Sequence, residues 1–341
     1  MLVRYISFYL SFIMKKKVFF SKKSSDYSAL SNHQKKYKLE VYKKSKRINR
    51  IYLQQNKRLK CKNCGKKISG FDFEIKKIKY KICQFCNHVN GLYNETKKFF
   101  EKIYVDKKGK NFTAGYEDNN FDSKVKNIYL PKIIFLKKII GKKNILDLGC
   151  GSGFFQYACE KVNIKCLGIE VNETLVNYSK KKLHSNKVKL MREDKINNFI
   201  KVHNYDCLSL INVLEHLLNP NEIFENFKKS KAKYLFINVP LFSLRVLLEN
   251  AFKSSEFKVL GASHTHLYTK ESLEYLFKKN NLKIIGEWWF GLDFFDLGSI
   301  IKKEIKFISN KSEHYFKKFF ENKIDEFQTV LDKEKLSSEV H

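Results

Sequence analysis

Asp147, Gly149, Gly151 and Gly153 occupy every second position at the end of a short apolar run, residues 145–148. Glycine tolerates positive φ and carries no Cβ, so a strand opening into such a loop lets the backbone approach a ligand closely. A dinucleotide fingerprint would place its third glycine at position 154, where Phe154 stands, and no Gly-Lys-Ser or Gly-Lys-Thr of a Walker loop follows. The spacing argues for a ligand other than a pyrophosphate. Glu170 ends the next apolar run, seventeen residues after Gly153. A carboxylate at the tip of a second strand can accept both hydroxyls of a ribose.

A second chemistry lies upstream. Cys61 and Cys64 form one C-x2-C knuckle, Cys83 and Cys86 another, with eighteen residues between them. Four thiolates at that spacing suit a tetrahedral zinc ion, and a closed four-cysteine shell is structural because a catalytic zinc keeps an open position. Disulfides are the alternative; the remaining cysteines, at 150, 159, 166 and 207, are scattered through apolar contexts and behave as small core residues. His88 offers a further donor that the four cysteines make unnecessary.

The elements that must position these groups alternate. Strands are predicted at 144–148, 165–170, 188–191, 205–211, 234–239 and 282–288, and helices at 154–162, 173–183, 220–228 and 270–280. That order implies an α/β fold, a Rossmann-like, doubly wound, mainly parallel sheet, preceded by a small four-cysteine zinc-ribbon module. Ligands in such sheets sit outside the carboxyl ends of the strands, where the motifs fall. The organisation expected is a basic N-terminal segment over 1–60, the cysteine module over 61–94, a helical linker or lid over 95–140, the sheet domain over 141–290 and a helical extension over 291–341.

With 341 residues and 43% apolar composition the chain can bury one sizeable core and a small module. The formal charge of +32 resembles a nucleic-acid signature, but only six of the 67 basic residues are arginine, the side chain suited to bidentate phosphate recognition. Lysine is spread along the whole chain, as expected of compositional bias and solvated faces. The apolar run 2–14, followed by three lysines, is too short to cross a bilayer and lacks a signal-peptide pattern. It is either a foothold on a membrane surface or a segment preceding a true start at Met14. A cytoplasmic location is the default expectation.

The spacing from Asp147 to Gly153, with Glu170 and the segment Leu210-Ile-Asn-Val-Leu-Glu-His216, resembles class I S-adenosylmethionine-dependent methyltransferases. The likeness is to the small-molecule and sugar-methylating, ubiquinone-methyltransferase-like branch, here with an N-terminal zinc-ribbon-like module. The resemblance implies that Asp147 and the glycines hold the amino-acid end of S-adenosyl-L-methionine, and that Glu170 takes the ribose. Asp194 would accept the adenine amino group, and the loop at Asn212 would border the methionine portion. It also implies an acceptor side formed by His216, His264 and His266. His216 could act as general base, since imidazole titrates near neutrality; capping or packing is the alternative for each histidine. The insertion 240–269 could cap the acceptor, and Trp288, Trp289, Phe290 and Asp293 could wall it, with core packing the plainer account.

The implied acceptor is a small molecule or glycan precursor, in polysaccharide or secondary-metabolite biosynthesis. Two other readings stand beside it: a zinc-knuckle RNA methyltransferase, weakened because no Asn-Pro-Pro-Tyr or Asp-Pro-Pro-Tyr follows the fourth strand, and a non-catalytic protein that retains a cofactor fold.

Overall fold

The computed structural model describes residues 16–28, 34–105, 121–183, 186–252, 260–261, 264–304 and 308–341, with the side chains of 27–28 and 34–42 aside. The N-terminal apolar run 2–14, and with it the expected membrane foothold, lies outside them. No helix among the described residues is long and apolar enough to cross a membrane.

In chain order the strands are β1 (Lys17–Phe20), β2 (Phe73–Ile75), β3 (Ile78–Ile82), β4 (Val89–Gly91), β5 (Ile145–Leu148), β6 (Cys166–Glu170), β7 (Val188–Leu190), β8 (Cys207–Ile211), β9 (Tyr234–Pro240), β10 (His266–Leu267), β11 (Gly286–Phe290) and β12 (Glu339–Val340). Eight form one sheet in the order β1-β11-β12-β9-β8-β5-β6-β7, and four form a second, β10-β4-β3-β2. In the large sheet only β12 runs against its neighbours, β9 and β11. The mainly parallel α/β sheet and the neighbouring four-cysteine cluster are as the sequence predicts.

Every residue of β5 and β8 is buried, as in a parallel sheet covered on both faces. Alternate residues of β5 feed opposite cores. Leu146 and Leu148 pack with Leu208, Leu210, Phe224 and Leu276 on one face, and Ile145 packs with Ile133, Phe155 and Phe236 on the other. The chain leaves β5 toward β6 and β7 on one side, while β8 and β9 lie on the other. The switch in strand order therefore falls between β5 and β8, and a cleft opens beyond their carboxyl ends.

The small sheet is antiparallel. Its core joins Tyr52 of the helix Gln34–Leu53, Ile78, Tyr80 and Val89 of the cysteine module, Phe99 of the helix Lys97–Tyr104, and Val246 and Leu267 of the insertion. The insertion helix Leu244–Ala251 thus packs on the module.

The expected segment limits need correction at both ends. The sheet does not stop at residues 141 and 290: β1, read as part of a loosely ordered basic segment, pairs with β11, and β12, read as part of a helical extension, enters between β11 and β9. Trp289 and Phe290 are buried in β11, where they serve as core rather than as an acceptor wall.

Candidate active site

Gly149, Gly151 and Gly153 have φ of 62°, 56° and 79°, a backbone that L side chains resist. A Cβ on Gly149 would stand 2.7 Å from Cγ2 of Val213, and one on Gly153 would stand 2.5 Å from Oγ of Ser179. The loop is therefore pressed against the segment after β8 on one side and the helix Glu173–Leu183 on the other. It is tied to β6 through the Gly149 N–H, which donates to the Ile169 carbonyl at 2.8 Å.

Glu170 stands at the tip of β6, where its Oε2 accepts from the Gly151 N–H at 2.8 Å and its Oε1 from Val171 and Asn172 at 2.8 and 2.9 Å. Burial raises its carboxyl above the usual range, and those three backbone N–H groups oppose the rise. Asp147 is 2% exposed, accepting from Gln156 Nε2 at 2.9 Å and from the Ser209 hydroxyl. Its carboxyl is pushed up to about 7 by burial, against the lowering effect of those two hydrogen bonds. Its carboxylate is thus turned to partners in the protein, a support under the loop.

The cleft is lined by Asp147, Gly149, Gly151, Glu170, Asn212 and His216, among others, and is roofed by Phe100 and Tyr104. Phe100 and Val171 also line its continuation toward Met191, Arg192 and Asp194. Asp194 sits in the first turn of the helix Glu193–Val202, and its oxygens lie 3.1 and 3.3 Å from the guanidinium nitrogens of Arg192. Asn212 has φ of 52°, holds the Asn238 carbonyl through its N–H at 2.9 Å, and exposes its side chain to the cleft.

Glu215 and His216 lie on the short turn Leu214–His216 after β8. His216 Nδ1 is 2.9 Å from the Tyr104 hydroxyl, and the two rings meet edge-on at 5.5 Å. Tyr104 ends the helix Lys97–Tyr104, which Thr96 caps by accepting from the Phe99 N–H, and its carbonyl accepts from Asn172 Nδ2 at 2.8 Å. Sequence reasoning marks this stretch only as connector or lid. The aromatic pattern of the helix signals a buried face but not the tyrosine at its end.

His264 comes to the same place from the far side of the insertion: its ring centroid is 4.8 Å from that of His216, and its Nε2 is 4.0 Å from Glu215 Oε1. His266 does not reach the cleft lining. It is fully buried on β10, with Nδ1 3.0 Å from Nε2 of His88, so a direct role toward an acceptor gives way to positioning the loop. Burial holds both of these imidazoles well below their usual range, hence neutral.

The four cysteines of the module converge, with Cys61 and Cys86 Sγ 3.7 Å apart, Cys64 and Cys83 Sγ 3.5 Å apart, and all four within 4.8 Å. Tetrahedral zinc with bonds of about 2.3 Å places its sulfurs about 3.8 Å apart, close to the spacing of these two pairs. The hydrogen bond from Cys86 lowers the Cys61 thiol to about 5 and raises Cys86 in turn. Asn90 Nδ2 also donates to Cys61 at 3.4 Å, a polar surrounding that favours thiolate.

Residues 121–287 match the family model described as a methyltransferase domain. No curated protein matches the chain. Similar solved structures include a SAM dependent methyltransferase from Archaeoglobus fulgidus, at 20% identity over 65% of this chain and 97% of that one, with a TM-score of 0.42. A complex of the Haloferax volcanii Trm112 methyltransferase activator with a putative methyltransferase is similar at 13% identity over 67% and 95%, with a TM-score of 0.44. A SAM dependent methyltransferase from Aquifex aeolicus is similar at 20% identity over 49% and 85%, with a TM-score of 0.34. At these scores the likenesses carry no inference about acceptor or mechanism. The domain match, on the sheet and glycine loop described above, makes the protein a methyltransferase.

Proposed function

We propose that this methyltransferase modifies a hydroxyl of a small molecule or glycan precursor, with the cofactor lying along the cleft from Asn212 to Asp194. The observation that carries this reading is the arrangement around one opening: Glu170 and the glycine loop on one side, the His216–Tyr104 pair on the other. The backbone of Gly149, Gly151 and Gly153, with Asn212, would hold the amino-acid end, Glu170 the ribose hydroxyls and Asp194 the adenine amino group. Asp147 supports the loop from beneath through Ser209 and Gln156.

S-adenosylmethionine supplies an electrophilic methyl on a sulfonium whose thioether leaves readily. What remains for the chain is to align the acceptor and to ease loss of its proton. His216, with His264 beside it, is the imidazole on that side of the cleft, and it would serve the acceptor through its position there. The cysteine set would hold a structural zinc ion, and its role would be to fix the loop carrying His264, since β4 pairs with β10 two residues further on.

Calorimetry with S-adenosylmethionine, followed by transfer of a labelled methyl into a metabolite extract, tests the proposal. Expected are saturable binding, its loss in Asp147→Ala, and label in a small, RNase-resistant product. Absence of cofactor binding rejects an active enzyme, and label confined to RNA rejects the acceptor class.

A further inference from the structure

The turn after β8, which carries Glu215 and His216, and the insertion, which carries His264, bring together a carboxylate and two imidazoles from segments far apart in the chain. Glu215 Oε1 lies 3.9 Å from His216 Nε2 and 4.0 Å from His264 Nε2, and the donor atoms of all three residues lie within 4.8 Å of one another. Glu215 is 0% exposed, and neither carboxylate oxygen receives a hydrogen bond from another side chain or from the backbone of another described residue. A buried, unsatisfied carboxylate is costly, and it is relieved either by a proton or by a cation held against it. The imidazole distances are too long for hydrogen bonds to that oxygen, yet they suit an atom placed between.

From this geometry we infer that Glu215, His216 and His264 bind one divalent first-row transition cation at the acceptor side of the cleft. Two imidazoles and a carboxylate are the donor set that such ions take while leaving positions open. Metal–ligand bonds of about 2.1 Å require donor atoms about 3 to 3.4 Å apart. Closure by about 1 Å or less at the two carboxylate contacts and by at most about 1.8 Å between the imidazoles would suffice, a change that side-chain rotation supplies. The support behind the donors is in place as well. The Tyr104 hydroxyl sits at His216 Nδ1, which turns Nε2 toward Glu215, the arrangement expected of a ligating histidine. His264 is held by reciprocal backbone bonds with Gly261 of 2.9 and 3.2 Å.

The cysteine set is a separate site of a different kind, closed and all sulfur. The Glu215 site is open toward the cleft through His216. The inference rests on the cleft being the cofactor site for one consequence only: the open positions would face an acceptor oxygen, favouring hydroxyl acceptors that carry a second oxygen nearby.

The test is titration of the full-length protein with Mn2+, an ion that thiolates bind poorly. Free Mn2+ is followed by electron paramagnetic resonance, and S-adenosylmethionine binding is measured by calorimetry on the same samples. Saturation at one Mn2+ per chain is expected, with affinity about tenfold or more weaker in Glu215→Gln and in His264→Ala, while cofactor affinity stays within about twofold. If Glu215→Gln does not fold, His264→Ala, altered at a partly exposed side chain, carries the comparison. No saturable Mn2+ binding up to about millimolar concentration, or equal binding by His264→Ala, overturns the inference. Mn2+ bound in a chain that does not bind S-adenosylmethionine would leave the metal site standing and reject the proposed function instead.

Discussion

His88 Nε2 stands 3.0 Å from His266 Nδ1, and this contact joins the cysteine module to the loop that carries His264. Both rings are buried and neutral, so one donates an N–H and the other accepts. Around them the Gly91 N–H donates to the Thr265 carbonyl at 2.9 Å, Asn63 Nδ2 donates to the Ser272 carbonyl at 2.8 Å, and Tyr268 packs edge-on against His88. The module is bolted to the sheet domain along residues 265–272 rather than hung from its N-terminus.

A consequence is that loss of the cysteine cluster should be felt at residues 264–268. Replacing Cys83 and Cys86 by serine leaves the module without half of its donors, and small metal-held modules melt when the metal goes. Amide exchange at 265–268 should accelerate by at least about tenfold, and methyl transfer should fall by a similar factor, whereas S-adenosylmethionine affinity changes little. Unchanged protection at 265–268 in the double variant would show that the loop is held by other means.

Gly149 gives a sharper test of the cradle. Gly149→Ala places a methyl 2.7 Å from Val213 Cγ2 at a φ of 62°. Cofactor affinity should drop by about tenfold or more, with both steric overlap and backbone strain at fault. Adding Val213→Ala removes the overlap but not the strain, so recovery in calorimetry should be partial. Full recovery would mean that the positive φ is incidental, and no loss at all would remove the loop from the cofactor site.

The glycine loop, Glu170 and the four cysteines were legible because each is a local pattern whose spacing is itself the geometry. Tyr104 and the Glu215–His264 approach were not: Glu215 and His264 are brought together by an insertion whose path depends on β4 pairing with β10. β12 was hidden for another reason. Glu339 and Val340 are too short a run to show a period, and their place is set by tertiary partners. Asn238 Nδ2 donates to Glu339 Oε1 at 2.9 Å and to the Val340 carbonyl at 3.2 Å, and Lys132 Nζ lies 3.1 Å from Glu339. β1 reads as lysine-rich and loosely ordered, and only its pairing with β11 makes it a strand.

Stability should depend on pH through the buried carboxyls. Asp147 is pushed up to about 7 and Glu215 to about 8, against about 4 for free carboxyls. Between about pH 4 and those values the folded chain retains protons that the unfolded chain has released, so stability falls as pH rises through the window. Asp147→Asn removes the first contribution, and Gln156 can turn its otherwise unpartnered Oε1 toward the new amide. The urea midpoint of the variant relative to the parent should therefore rise between pH 5 and 7 and level off above. Taking the difference cancels the general charge repulsion of a +32 chain. A flat or falling difference would place an ionised Asp147 in the folded protein.

Tyr104→Phe isolates the lid from the cofactor. The substitution keeps the ring, which packs beside Phe100 at 5.0 Å, and removes only the hydroxyl at His216 Nδ1. The helix Lys97–Tyr104 stays anchored, because the bond from Asn172 goes to the backbone carbonyl of residue 104. Cofactor affinity should therefore be nearly unchanged. The His216 ring, however, loses the partner that fixes its orientation and tautomer, and such losses typically cost about 10- to 100-fold. That factor should appear in kcat for methyl transfer, with KM for S-adenosylmethionine unmoved and the pH profile of kcat displaced. A variant that transfers methyl groups at the parental rate would show that His216 needs no such support, whereas one that loses cofactor binding would make Tyr104 part of the roof over the cofactor instead.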